Sequence, residues 1–247
     1  MNAWTQTKPH LLCWSLLPLL LMGCITPDAL DTATVGMKEN GAYVVATQQL
    51  ISPAGDSILI PGRPVDLTVS PDGSLLAVKN MNDIVFVEMA THAVRQTLKL
   101  PKGGNSHCGI AWTRDGNGLW TSEANRFLYF AERQQDGAFA WAKDKEISLP
   151  GKDDKPAPGG FYFDEDRGRI YIALSRNNSL GIVNVTTRTL EAEIPAGIAP
   201  YTVACKGSTA YVTNWGGRRP TPDDATGPTA GSRAVVDART GVASTGT

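Results

Sequence analysis

The sequence predicts an all-β protein: a β-propeller of four-stranded antiparallel blades, with about three and a half blades present and the ring incomplete. Two observations predict it. First, a strand–turn–strand phrase occurs four times at a period of about 40 to 50 residues, the range of propellers and solenoids. Its copies are centred on Ser70-Pro71-Asp72-Gly73, Thr113-Arg114-Asp115-Gly116, Asp164-Glu165-Asp166-Arg167-Gly168 and Lys206-Gly207-Ser208. Second, the first three copies are each followed by two further strand segments, with no helical periodicity between them. The 25 Gly and 16 Pro among 247 residues suit many short strands joined by turns. A β-sandwich need not repeat its turn at a fixed period, and a parallel β-helix would need shorter coils.

In the first repeat, residues 64–70 alternate, with Val65, Leu67 and Val69 on one face. Asp72-Gly73 turns the chain, 75–79 returns, and 84–88 and 93–100 supply the outer strands. The second repeat uses 108–113, 118–122, 127–132 and 140–149, and the third 160–164, 169–174, 180–185 and 189–194. The fourth supplies only 201–205 and 209–213. From Trp215 to Thr247 the chain reads as loop, with Ala234-Val235-Val236-Asp237 the one strand-like run. The segments 42–46 and 57–60 are candidates to complete a blade, either closing a larger ring or making a small four-bladed one; the open arc is the first expectation.

The N-terminus reads as a targeting segment. Lys8 and His10 precede an apolar run from Leu11 to Met22, too short to span a bilayer comfortably and interrupted by Pro18. It ends in Leu21-Met22-Gly23-Cys24, which resembles a bacterial lipobox with Cys24 the lipidated first residue of the mature chain. Residues 1–24 are thus a lipoprotein-type signal peptide, 25–41 a tether, and 42–247 the partial propeller with a loop-rich 215–247. This predicts an exported protein, anchored by lipid at the bacterial cell envelope. The remaining cysteines, Cys108 and Cys205, fall at different points of non-adjacent repeats; they read as small apolar residues, with a disulfide the alternative.

Tyr211-Val212-Thr213-Asn214 is the signature of the YVTN-repeat β-propeller family, and the chain resembles that family over about residues 43 to 247. Ala77-Val78-Lys79-Asn80 and Tyr171-Ile172-Ala173-Leu174 are weaker copies, and Ser70-Pro71-Asp72-Gly73 matches the family's usual turn. The runs around Pro61-Gly62-Arg63-Pro64, Gly197-Ile198-Ala199-Pro200-Tyr201 and Asn214-Trp215-Gly216-Gly217-Arg218-Arg219-Pro220 are similar to a bacterial subgroup in which such a propeller precedes a phosphoesterase domain. The resemblance implies roughly seven blades, so the chain looks truncated. Phosphatase activity does not carry over, because no residues that would bear it are here.

Aligning the inner strands places Pro64, His107, Pro158 and Pro200 at equivalent points, where a propeller's innermost strand begins beside the central channel. His107 is therefore the leading candidate for a ligand contact, with Arg63, Arg218 and Arg219 expected at the same end. Paired arginines suit a carboxylate or phosphate, or else hold a surface loop through Asp223 and Asp224. Trp215 reads as an apolar plug between blades, with a stacking surface as the alternative. Asp164-Glu165-Asp166 and Asp153-Asp154 lack the spacing of a calcium loop, so no metal and no cofactor is implied.

A net charge of −1 without runs of either sign argues against a nucleic-acid partner, and six Phe and six Tyr are too few for a single-strand stacking platform. No G-x-S-x-G or phosphate-binding glycine loop is present. The expectation is a non-enzymatic binding or scaffolding module for a protein or small ligand at the propeller face. The alternatives are the N-terminal propeller of a phosphoesterase-fused protein and a propeller enzyme such as a lactonase.

Overall fold

The computed structural model describes residues 34–38, 41–229 and 231–243. The signal segment and Cys24 lie outside the described residues. The chain divides into two compact units at Leu59/Ile60. In the first, β1 (Gly36–Met37), β2 (Tyr43–Val44) and β3 (Leu50–Ile51) form a small antiparallel sheet in the order β1-β2-β3. The N-terminal segment expected to complete a blade is thus paired within its own sheet, and residues 57–60 form no strand.

In the second unit, β4 (Asp66–Val69), β5 (Leu75–Lys79), β6 (Asp83–Glu88) and β7 (Val94–Lys99) make the first blade, in sequence order. The second blade comprises β8 (Asn105–Trp112), β9 (Gly118–Glu123), β10 (Phe127–Arg133), β11 (Phe139–Trp141) and β12 (Ile147–Ser148). The third holds β13 (Pro158–Asp164), β14 (Arg169–Leu174), β15 (Ser179–Asn184) and β16 (Thr189–Pro195). The fourth has the hairpin β17 (Pro200–Lys206) and β18 (Thr209–Asn214), a two-stranded sheet. The ring is unclosed. Leu67 and Val69 on the first inner strand are 59% and 45% exposed, and Tyr211 on the last hairpin is 60% exposed.

Two expectations are corrected. The single strand predicted over 140–149 is split: Lys143–Lys145 form a 3₁₀ turn, and β12 returns to pair with the start of β10. No side chain of this turn is buried, so nothing apolar holds the segment flat on the blade. The stretch 215–247 is not loop throughout. β19 (Thr226–Thr229) and β20 (Ser232–Val235) form an antiparallel hairpin, hidden from pattern reading by Gly227 and Pro228 within its first strand.

The repeated phrase is a hydrogen-bonded turn. Ser70 Oγ donates to Asp72 Oδ1 at 2.6 Å, and the Ser74 N–H donates to the same oxygen at 3.0 Å. Thr113, Asp115 and Asn117 repeat this at 2.6 and 3.0 Å. These bonds hold the Asp72 carboxyl down at about 2, and they lower Asp115 in the same way.

The core lies between blades. Phe86 stacks on Phe139 with centroids 4.5 Å apart, and with Trp112 and Leu119 it joins the first blade to the second. Trp120, Phe130, Leu149, Ile170, Ile172 and Leu174 join the second to the third. Ala173, Leu180 and Val203 join the third to the fourth. At the inner edge the strands approach so closely that only glycine fits. A Cβ on Gly159 would lie 2.5 Å from the Tyr201 carbonyl oxygen, and one on Gly109 would lie 2.5 Å from that of Gly159.

Candidate functional site

A cavity of about 630 Å³ opens where β8, β13 and β17 begin, bounded on its other side by the β19–β20 hairpin. His107, Cys108, Pro158, Pro200, Tyr201 and Trp215 line it from the blades. Pro228, Ala234 and Val236 face them.

The chain holds Trp215 there through its backbone. The Trp215 N–H donates to Ala199 O at 2.9 Å, that of Gly216 to Ile198 O at 2.9 Å, and that of Ile198 to Gly217 O at 2.8 Å. A side chain on Gly216 would collide with Ile198, so glycine permits this close ladder. The indole is 69% exposed, stacks on Tyr201 at 4.8 Å between centroids, and lies 5.8 Å from the His107 ring. The indole is thus not buried between blades, and its stacking partner is Tyr201.

The structure brings His107 and Trp215 together and adds Tyr201. The predicted arginines do not line this cavity. Arg63 is exposed, and its backbone N–H donates to Asn80 Oδ1 at 2.6 Å. Arg218 makes a bidentate pair with Asp224 at 2.7 and 2.6 Å, which pulls that carboxyl well below its ordinary range. Arg219 spends its guanidinium on the carbonyls of Ala196 and Asn178, each at 2.6 Å. Asp164 pairs with Arg167 and Asp166 with Arg114. Among the described residues no group of His, Cys, Asp and Glu is placed to hold a metal ion.

A polar cluster beneath the cavity wall escaped sequence reading. Lys79, fully buried at the end of β5, reaches from the first blade into the second. Its Nζ lies 2.9 Å from Ser106 Oγ, 3.0 Å from Ser122 Oγ, 2.7 Å from Cys108 O and 2.8 Å from Gly109 O. The two hydroxyls are 2.6 Å apart. None of the four neighbours is a carboxylate, and burial brings the amine down from 10.5 to about 7, against the weaker pull of Cys108, Asp66 and Glu123. Those two carboxylates are used elsewhere. Asp66 accepts the Gly109 N–H at 2.7 Å, and Glu123 accepts Asn125 Nδ2 at 2.6 Å and the Arg126 N–H at 2.9 Å. The signal was present in the sequence: in Ala77-Val78-Lys79-Asn80 a lysine occupies the place of Thr213 in Tyr211-Val212-Thr213-Asn214.

Cys108 and Cys205 are free thiols. The Cys108 thiol donates to Tyr201 O at 3.3 Å, and burial raises it above its ordinary value.

No protein-family model matches the chain, and no curated protein matches it. Solved structures do. The WD40 repeats of RRP9 superpose with a TM-score of 0.51 at 15% identity, over 64% of this chain and 46% of that one. A functionally unknown protein from Desulfotomaculum acetoxidans gives 0.51 at 18% identity, over 67% and 52%. The U3-55K structure gives 0.51 at 15% identity, over 64% and 47%. The chain thus spans about half the length of these structures. At such identities the likeness shows the fold alone, and that fold is a WD40-like β-propeller.

Proposed function

We propose that this protein is a binding module of the bacterial cell envelope, and that the cavity at the start of the inner strands receives an aromatic or aliphatic group of its partner. One observation carries the reading: Trp215, a large apolar side chain, is 69% exposed yet fixed by the Tyr201 stack at the mouth of a cavity. Aromatic anchors held rigidly beside a pocket concentrate binding energy, because they bury much area at little entropic cost. The lipobox-like Leu21-Met22-Gly23-Cys24 supports the location, and the Tyr211-Val212-Thr213-Asn214 motif supports membership of the YVTN-type propellers.

A photo-crosslinking amino acid in place of Trp215, introduced in the native host, tests the cavity. A discrete adduct from position 215, and none from position 95 on the outer strand β7, is expected. No adduct at 215 rejects the cavity as the contact. Palmitate labelling that survives Cys24→Ser would reject the anchor.

A further inference from the structure

We propose that Ser106 is a nucleophile, with Ser122 and Lys79 as its proton relay, for acyl transfer from an uncharged carboxylic ester, cyclic or open-chain. The proposal rests on the reading that the cavity takes a ligand, and goes beyond it by assigning chemistry to its wall.

The geometry is that of a serine activated by a lysine through a second serine. Ser106 lines the cavity, while Ser122 and Lys79 behind it are fully buried. Nζ lies within hydrogen-bond distance of four oxygens: the carbonyls of Cys108 and Gly109 at 2.7 and 2.8 Å, and the hydroxyls of Ser106 and Ser122 at 2.9 and 3.0 Å. The hydroxyls lie 2.6 Å apart and also have carbonyl acceptors: Ser106 Oγ is 2.7 Å from Cys108 O, and Ser122 Oγ is 2.9 Å from Gly159 O. An ammonium donates into this cluster while the hydroxyls donate to their carbonyls. A neutral amine accepts a hydrogen bond when a hydroxyl turns from its carbonyl to Nζ. Only hydroxyl protons reorient between the two states, as a proton relay requires. Burial without a bonded carboxylate places the exchange between them near neutral pH. Cys108, on the same wall, is held as the neutral thiol and is the poorer nucleophile.

The cavity selects an uncharged acyl group. Pro158, Pro200, Tyr201, Trp215 and Val236 supply apolar walls, and the cation at its rim, Arg176, faces Asp153 at 3.4 Å. In the reaction, Ser106 Oγ forms a bond to the carbonyl carbon as its proton passes to Ser122 Oγ, whose own proton passes to Lys79 Nζ. As the tetrahedral intermediate collapses, its C–O bond to the alkoxide breaks and the alkoxide takes the proton returned along the relay; the alcohol departs from an open-chain ester and stays attached to the acyl group of an opened cyclic one. Water then attacks the acyl-serine through the same groups, releasing the carboxylic acid and restoring Ser106.

The test is to treat the intact protein with a fluorophosphonate probe and map the adduct by peptide mass spectrometry. Ser106 is the one serine of the tryptic peptide 103–114. We expect an adduct on Ser106 whose rate rises with pH through about 7. It should vanish in Ser106→Ala and fall about 100-fold or more in Lys79→Met and in Ser122→Ala. Should those variants misfold, the wild-type adduct and its pH profile decide alone. No adduct on Ser106 in the folded wild-type protein, an adduct on Cys108 instead, or a rate independent of pH overturns the proposal. If the probe fails while the crosslink at position 215 persists, the catalytic assignment falls and the binding cavity stands.

Discussion

Lys79 of the first blade lies 2.9 Å from Ser106 Oγ of the second, and this contact ties two blades together through a cation with no carboxylate bonded to it. Its proton equilibrium is therefore linked to folding. The folded protein releases this proton near pH 7, whereas the unfolded chain keeps it to about 10.5. Between those values the unfolded state binds the extra proton, so stability rises with pH; below pH 7 both states are protonated and the contribution is flat. Cys108 faces the amine, and its raised thiol works in the opposite sense above pH 9, so the clean window is pH 7 to 9. There the wild type should gain up to about 1.4 kcal/mol per pH unit relative to Lys79→Met. Urea midpoints of both proteins at pH 6, 7, 8 and 9 check this, and parallel profiles would refute it.

The Gly159 backbone lies against Tyr201 at the inner edge, with no room for a methyl group. Gly159→Ala must push the third and fourth blades apart or distort β13. We expect a loss of about 1–3 kcal/mol or more, read by chemical denaturation. Wild-type stability would show that the inner strands have slack.

Trp215 is mostly exposed, so Trp215→Ala should cost little in folding, about 1 kcal/mol or less from the lost stack on Tyr201. A variant with near-native melting and no capture of the partner crosslinked at that position separates binding from stability. A large drop in melting temperature would instead make the indole a structural support.

Asp224 anchors the loop 218–224 through Arg218 and through the backbone N–H of Thr221 at 2.7 Å. Asp224→Asn keeps the shape and removes the charge. Trypsin cannot cut before Pro220, so the accessible bond is Arg218–Arg219. Cleavage there should be markedly faster in Asp224→Asn than in the wild type; equal rates would mean that the ion pair does not order the loop.

Much of the fold was legible because its determinants are local. Asp72 and Asp115 bond within their own turns, and the short unbroken apolar run of residues 84–87 reports a buried blade strand directly. The site was half legible. His107 followed from aligning strand starts, but Tyr201 was read only as the start of an inner strand and emerged as a wall through its stack on Trp215. Of the two readings of the arginine pair, the surface loop held by Asp224 is the one Arg218 follows, six residues away; the carbonyl partners of Arg219, up to 41 residues away, were not legible.

The sequence by itself determined the blade repeat, the turn chemistry and the strand order, since each depends on side-chain period and on hydrogen bonds a few residues apart. Only the tertiary structure decided that β19 and β20 form a hairpin over a cavity, that Trp215 stands in the open, and that Lys79 meets Ser106 and Ser122. The Lys79 contacts join residues 27 and 43 positions apart across a blade interface. A strand pattern says which face a lysine occupies; what waits on the other side is set by how neighbouring blades pack.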